Sequence, residues 1–182
     1  MIVNTSRFGQ VQIEENDTIV FPEGLLGFAD LRTFVLLDDP GDEIFAWLQS
    51  CEASQIAFPV LEPELFHTGY KINLTKGDLE VVKLQDSKKA RMFTIITVPE
   101  DATLMTANLK APIVINPESR LAKQCVLQDN SLAIREPIFT KLQQRVVQFP
   151  NVAIKNQSGG MDVAVKLNMA EVKTDRKTEI SI

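Results

Sequence analysis

The apolar residues of this chain come in short, often alternating runs, many closed by Pro, Gly or an Asx pair. Phe8–Glu14, Thr18–Phe21, Phe34–Leu37, Ile44–Ser50, Ile56–Leu61 and Met92–Val98 each span four to seven residues. That is the length of a strand and too short for a stable helix. No strand–helix–strand alternation links them, so the spacing predicts antiparallel pairing. Nine or ten short strands against two or three short helices must hide many edges, which a small closed or nearly closed barrel does. The expected fold is mainly β: a compact antiparallel, barrel-like single domain over residues 1–149. The polar stretch 150–182, with Gly159-Gly160, is expected to be a flexible C-terminal tail with at most one weak strand at Val163–Val165.

The most apolar strand-like stretch is Thr106–Pro117 with its continuation to Leu127. Thr106, Asn108 and Lys110 alternate with Ala107, Leu109 and Ala111, which predicts one strand with a wet face. Ile113-Val114-Ile115, held between Pro112 and Pro117, predicts a second, buried central strand entered through a bend. Elsewhere Gly24 and Gly27 bracket Leu25-Leu26 in a tight loop. Asp30 caps a predicted helical turn over 31–33, and Pro59 marks an edge or bulge. Tyr70–Leu74 alternates again. Thr75 and Asp78 form a near capping box, and the run that follows fits a helix or a strand. Phe139, Leu142, Val146 and Phe149 recur at 3, 4 and 3, an amphipathic helix whose stripe should dock on the barrel.

Chemistry is sparse. His67 is the only histidine, and neither Cys51 nor Cys125 carries a neighbourhood that would activate a thiol, so no catalytic triad is expected. There is no phosphate loop and no zinc spacing, so no cofactor and no metal are expected. The acidic turn Asp38-Asp39-Pro40-Gly41-Asp42-Glu43 lacks the EF-hand pattern. Met1–Arg7 lacks the basic cap and apolar core of a secretory signal, and no run is apolar enough to span a bilayer, which predicts a cytoplasmic protein with two reduced thiols. Net charge is −5, but residues 1–66 carry −10 and residues 67–182 carry +5. Such an acidic half disfavours direct contact with nucleic acid and favours a basic partner. Lys88–Arg91 reads as a gatekeeper for the strand behind it.

The run Thr106–Pro117 followed by Lys123–Leu127 resembles the signature of the FliW family, the bacterial flagellar assembly factors. Phe21–Phe28, Leu48-Gln49-Ser50 and Thr97–Glu100 fit the same pattern, which covers roughly residues 1 to 140. The resemblance implies a small β-barrel and a short helix after Thr75. It also implies a non-enzymatic protein that binds the RNA-binding translational repressor CsrA and, alternatively, flagellin, so that flagellin export frees it to relieve repression. A flagellin binder needs an apolar groove for amphipathic helices, for which Leu25, Leu26, Asn108, Leu109 and the bend at Pro112 are candidates. Asp38, Asp39, Asp42 and Glu43 are the candidates for acting on CsrA through charge. The rival expectation is a small ligand-binding barrel or a hydrolase drawing on surface carboxylates.

Overall fold

The computed structural model describes residues 1–168. The chain opens with a hairpin, β1 (Ile2–Thr5) and β2 (Gly9–Gln12), turned at Gly9, whose φ of +68° suits glycine. There follow β3 (Thr18–Val20), β4 (Thr33–Asp38), β5 (Ala46–Ser50), β6 (Ala57–Leu61), helix α1 (Lys76–Val81) and β7 (Arg91–Thr97). Next come β8 (Thr106–Ala107), β9 (Ile113–Ile115), β10 (Ala122–Gln124), β11 (Glu136–Pro137), helix α2 (Phe139–Gln148) and β12 (Val165–Lys166).

The main sheet runs β10-β9-β7-β6-β5-β4, antiparallel throughout, with β8 and β11 continuing from the other half of β7. β4 has two partners on its outer side, β3 at Thr33–Val35 and β12 at Leu37–Asp38. The two ends of the sheet meet at one parallel bridge, Val20–Leu121, where Val20 N–H donates to the Arg120 carbonyl at 2.8 Å. Pro22 follows two residues later and cannot donate to a ladder. The sheet is therefore barrel-like but not a closed barrel.

Burial on both faces explains the unbroken apolar runs. Phe34 and Leu36 of β4, Leu48 of β5, Phe93 of β7 and Ile113 and Ile115 of β9 fill one core with Ile19 and Phe21. Val35, Leu37, Trp47 and Val114 point the other way, into a second core closed by the β1–β2 hairpin, residues 61–84 and Leu142 of α2. The central strand predicted between Pro112 and Pro117 is β9, fully buried between β7 and β10.

Several local expectations change. The strand predicted over Thr106–Ala111 lasts only through Ala107, because Asn108 turns the chain by accepting the Lys110 N–H on its own side chain. Residues 31–33 form no helical turn, and Tyr70–Leu74 is irregular. Pro59 lies in a strand with neighbours on both sides, yet β7 pairs only with Val60 and Leu61, so at Pro59 the ladder is with β5 alone. Helix α1 carries the full capping box, Thr75 with Asp78. Helix α2 docks by Leu142 and partly by Phe139, whereas Val146 and Phe149 are exposed.

The flexible tail expected from residue 150 does not describe residues 150–168. Ile154, Val163 and Leu167 are buried in the two cores, and β12 pairs with β4. Polar composition concealed these few anchors; the remainder of the expected tail lies outside the described residues.

Candidate protein-binding surface

The loop after β3 is built by glycine. Gly24 has a φ of +70°, and a Cβ there would lie 2.5 Å from the Ala29 carbonyl oxygen. Leu25 and Phe28 face each other across the turn through N–H···O bonds of 3.4 and 2.8 Å. The consequence is a division between adjacent leucines: Leu25 is 3% exposed in the inner core and Leu26 is 57% exposed. Leu26 N–H donates to Gln124 Oε1 at 3.0 Å, which moors the loop on β10. On the strand side, Cys125 and Leu127 N–H donate to the Pro112 and Lys110 carbonyls, so the main chain of Gln124 and Val126 faces away from β9. Val126 is exposed beside it. Lys123 is held at 2.7 Å by Asp78 and at 3.6 Å by Glu23. Burial alone would raise the Asp78 carboxyl, but the Lys123 hydrogen bond and the Thr75 cap hold it below its ordinary value.

The 108–112 bend is structural. Leu109 and Pro112 are buried. Leu109 N–H donates to Ala133 O at 3.0 Å, and its carbonyl accepts the Tyr70 hydroxyl at 2.6 Å, with burial raising that phenol's pKa. Asn108 is half-buried with its side chain occupied in the turn. Leu25 and Leu109 thus belong to cores, and of the expected groove only Leu26 is exposed.

The acidic turn is mostly self-contained. Asp42 Oδ1 accepts the Ile44 and Phe45 N–H groups, and its Oδ2 accepts Trp47 Nε1–H at 2.9 Å. Asp39 is buried and accepts Gly41 N–H. Asp38 lies 2.7 Å from the ammonium of Lys155, a lysine only 3% exposed. The contact is ionic rather than an aligned hydrogen bond, and Lys155 also donates to the Asp39 carbonyl. Glu43 alone of the four is exposed.

Charge clusters that a hydrolase could use are likewise engaged. Burial pushes the Cys51 thiol up to about 11 and Cys125 up to about 12, so both stay protonated. His67 stacks edge-on against Tyr70 at 5.7 Å. Glu62 differs: desolvation raises it to about 7 against a Gly160 N–H bond that lowers it, and its Oε2 is buried with no hydrogen-bond partner. Neither Lys155 nor the Arg91–Asp162 pair stands out in the sequence, where the acid excess of residues 1–66 favours a basic partner and says nothing of a buried cation. Among the described residues no cluster of three or more His, Cys, Asp or Glu could hold a metal, and no helix is long and apolar enough to cross a membrane.

A doubly buried, mainly antiparallel sheet whose polar side chains mainly hold turns, with an exposed apolar loop beside a strand edge, defines a small, mainly β domain. Comparison with known proteins makes this specific. The profile described as FliW protein matches residues 2–138. The flagellar assembly factor FliW of Bdellovibrio bacteriovorus is 72% identical over 169 residues, 93% of this chain and 97% of the relative. That of Leptospira interrogans is 38% identical over 138 residues, 75% of this chain and 92% of the relative. A crystal structure of the flagellar assembly factor FliW superposes with a TM-score of 0.71 at 32% identity, covering 76% of this chain and 97% of that one. The chain belongs to the FliW family of flagellar assembly factors.

Proposed function

We propose that this protein acts in the cytoplasm as a non-enzymatic regulator that binds the repressor CsrA and, in exchange, flagellin, coupling flagellin synthesis to export. The observation that carries the reading is family membership across residues 2–138, which hold every strand but β12. Leu26, exposed on a glycine-framed loop next to the β10 edge, supports it as an apolar contact for a partner. The charge argument narrows to Glu43, because Asp38, Asp39 and Asp42 are committed to the fold. Inhibition of CsrA then owes less to the turn's charge than residues 38–43 suggest by count. The test is co-purification and calorimetry of the protein with CsrA, with flagellin, and with both. Binding of each, with flagellin displacing CsrA, is the expected result; failure to bind either overturns the reading.

A further inference from the structure

β3 leaves β4 after Val35, so Leu37 and Asp38 would present a bare strand edge on that side if residues 150–168 did not cover it. This segment lies beyond the region that the family profile matches. The Leptospira relative and the solved structure are matched over nearly their whole lengths by about three quarters of this chain, whereas the Bdellovibrio relative is matched by 93% of it. The segment is a strap with fixtures along its length. Ile154 N–H donates to Glu43 O at 2.7 Å, and Lys155 sits on Asp38 and the Asp39 carbonyl. Gly160 lies so tightly on Glu62 that a Cβ would come within 1.6 Å of its Oε1. Asp162 grips Arg91 through two bonds of 2.9 Å, and Arg120 donates to the Val163 carbonyl at 2.8 Å. β12 then pairs in parallel with Leu37–Asp38, and Leu167 N–H donates to Asp38 O at 2.8 Å.

We propose that this edge of β4, with the Asp38 carboxylate beside it, is a docking site for an extended, lysine-bearing segment of a partner polypeptide, and that the chain keeps the site filled with residues 154–167 until such a segment displaces them. The requirements of the site are read from the strap itself: a main-chain N–H for the Asp38 carbonyl, an ammonium for its carboxylate, and a residue without a side chain over Glu62. At the Gly160 end of the segment, Glu62 Oε2 is buried without a hydrogen-bond partner, with Arg91, Asp162, Glu64 and Lys88 around it. An attached strap competes at high effective concentration, so a partner gains access by loosening it rather than by simple addition. The inference extends the partner-binding reading and rests on it only for the partner's identity, because the probe is the chain's own segment.

The test uses the full-length protein, a labelled synthetic peptide of residues 150–168, and two variants. Gly160→Val forces the strap from Glu62, and Asp162→Asn removes a half-exposed partner of Arg91 without touching either core. In both, amides of residues 161–167 should exchange faster, by about tenfold in Gly160→Val, while amides of β5–β7 keep their protection. The peptide should bind both variants more tightly than wild type, and the same peptide with Lys155→Gln should not bind. Should Gly160→Val fail to fold, Asp162→Asn decides alone. Exchange of β5–β7 in step with the strap, or equal peptide binding by wild type and variants, overturns the proposal; so does an absence of peptide binding to all three proteins.

Discussion

Lys155→Met tests the buried ion pair that joins the strap to the acidic turn. Lys155 is 3% exposed, and its ammonium stands 2.7 Å from Asp38 Oδ1, whose side chain is 14% exposed. Methionine preserves the length and apolar stem of lysine but leaves the Asp38 carboxylate desolvated without a counter-charge and takes a donor from the Asp39 carbonyl. Removing one partner of a buried pair costs about 3–5 kcal/mol. In a domain of this size that corresponds to a fall in Tm of roughly 6–20 °C. The Asp38→Asn, Lys155→Met double variant should recover at least half of the loss, because neither charge then remains to be desolvated. Thermal and denaturant unfolding of the four proteins closes the cycle. A single variant within about 1 kcal/mol of wild type, or a double variant no better than Lys155→Met, refutes the reasoning, since the pair would then behave as an exposed one.

Glu62→Gln should flatten the pH dependence of stability. The folded carboxyl is raised from 4.5 to about 7, so ionisation is penalised in the folded state; stability is full below about pH 4.5 and falls as pH rises towards and past 7. Full desolvation would cost about 3 kcal/mol, cut by solvent screening to about 1–2 kcal/mol, and a wild-type profile as flat as the variant's between pH 5 and 8 would count against it. Leu26→Asp should leave the circular dichroism spectrum and Tm nearly unchanged and weaken partner binding in calorimetry, whereas Leu25→Asp should lose at least about 3 kcal/mol by placing a carboxylate in the inner core. Tyr70→Phe should cost about 1–2 kcal/mol in urea unfolding, because the Leu109 carbonyl loses its hydroxyl donor.

The fold was legible wherever period and punctuation agreed. β4, β5, β7 and β9 follow from apolar runs and bounding prolines or turns, whereas the run after Thr75 fits helix or strand and only the family resemblance selects the helix found as α1. Unclosed edges were not legible: nothing in Val20 or Leu121 announces that one bridge joins the ends of the sheet and that Pro22 halts the seam. The candidate site was read less well, for a physical reason. An Asp in a turn looks the same in sequence whether its carboxylate faces solvent or holds its own loop, as Asp42 does with Ile44, Phe45 and Trp47. Likewise Leu25-Leu26 reads as one apolar pair, and only the left-handed backbone at Gly24 and Gly27 turns one inward and the other out. Of the strap only a weak strand at Val163–Val165 was legible, overlapping β12 at Val165, because its anchors, Ile154, Lys155, Val163 and Leu167, are too widely spaced to show a period.

The most direct measurement is a titration of CsrA bound to the leader RNA of a flagellin transcript with this protein, in the absence and then the presence of unassembled flagellin, followed by gel shift and calorimetry. Partner exchange predicts that the protein releases RNA from CsrA and that flagellin restores the CsrA–RNA complex by occupying the protein. Unaltered RNA binding at saturating protein, or release that flagellin does not reverse, contradicts it.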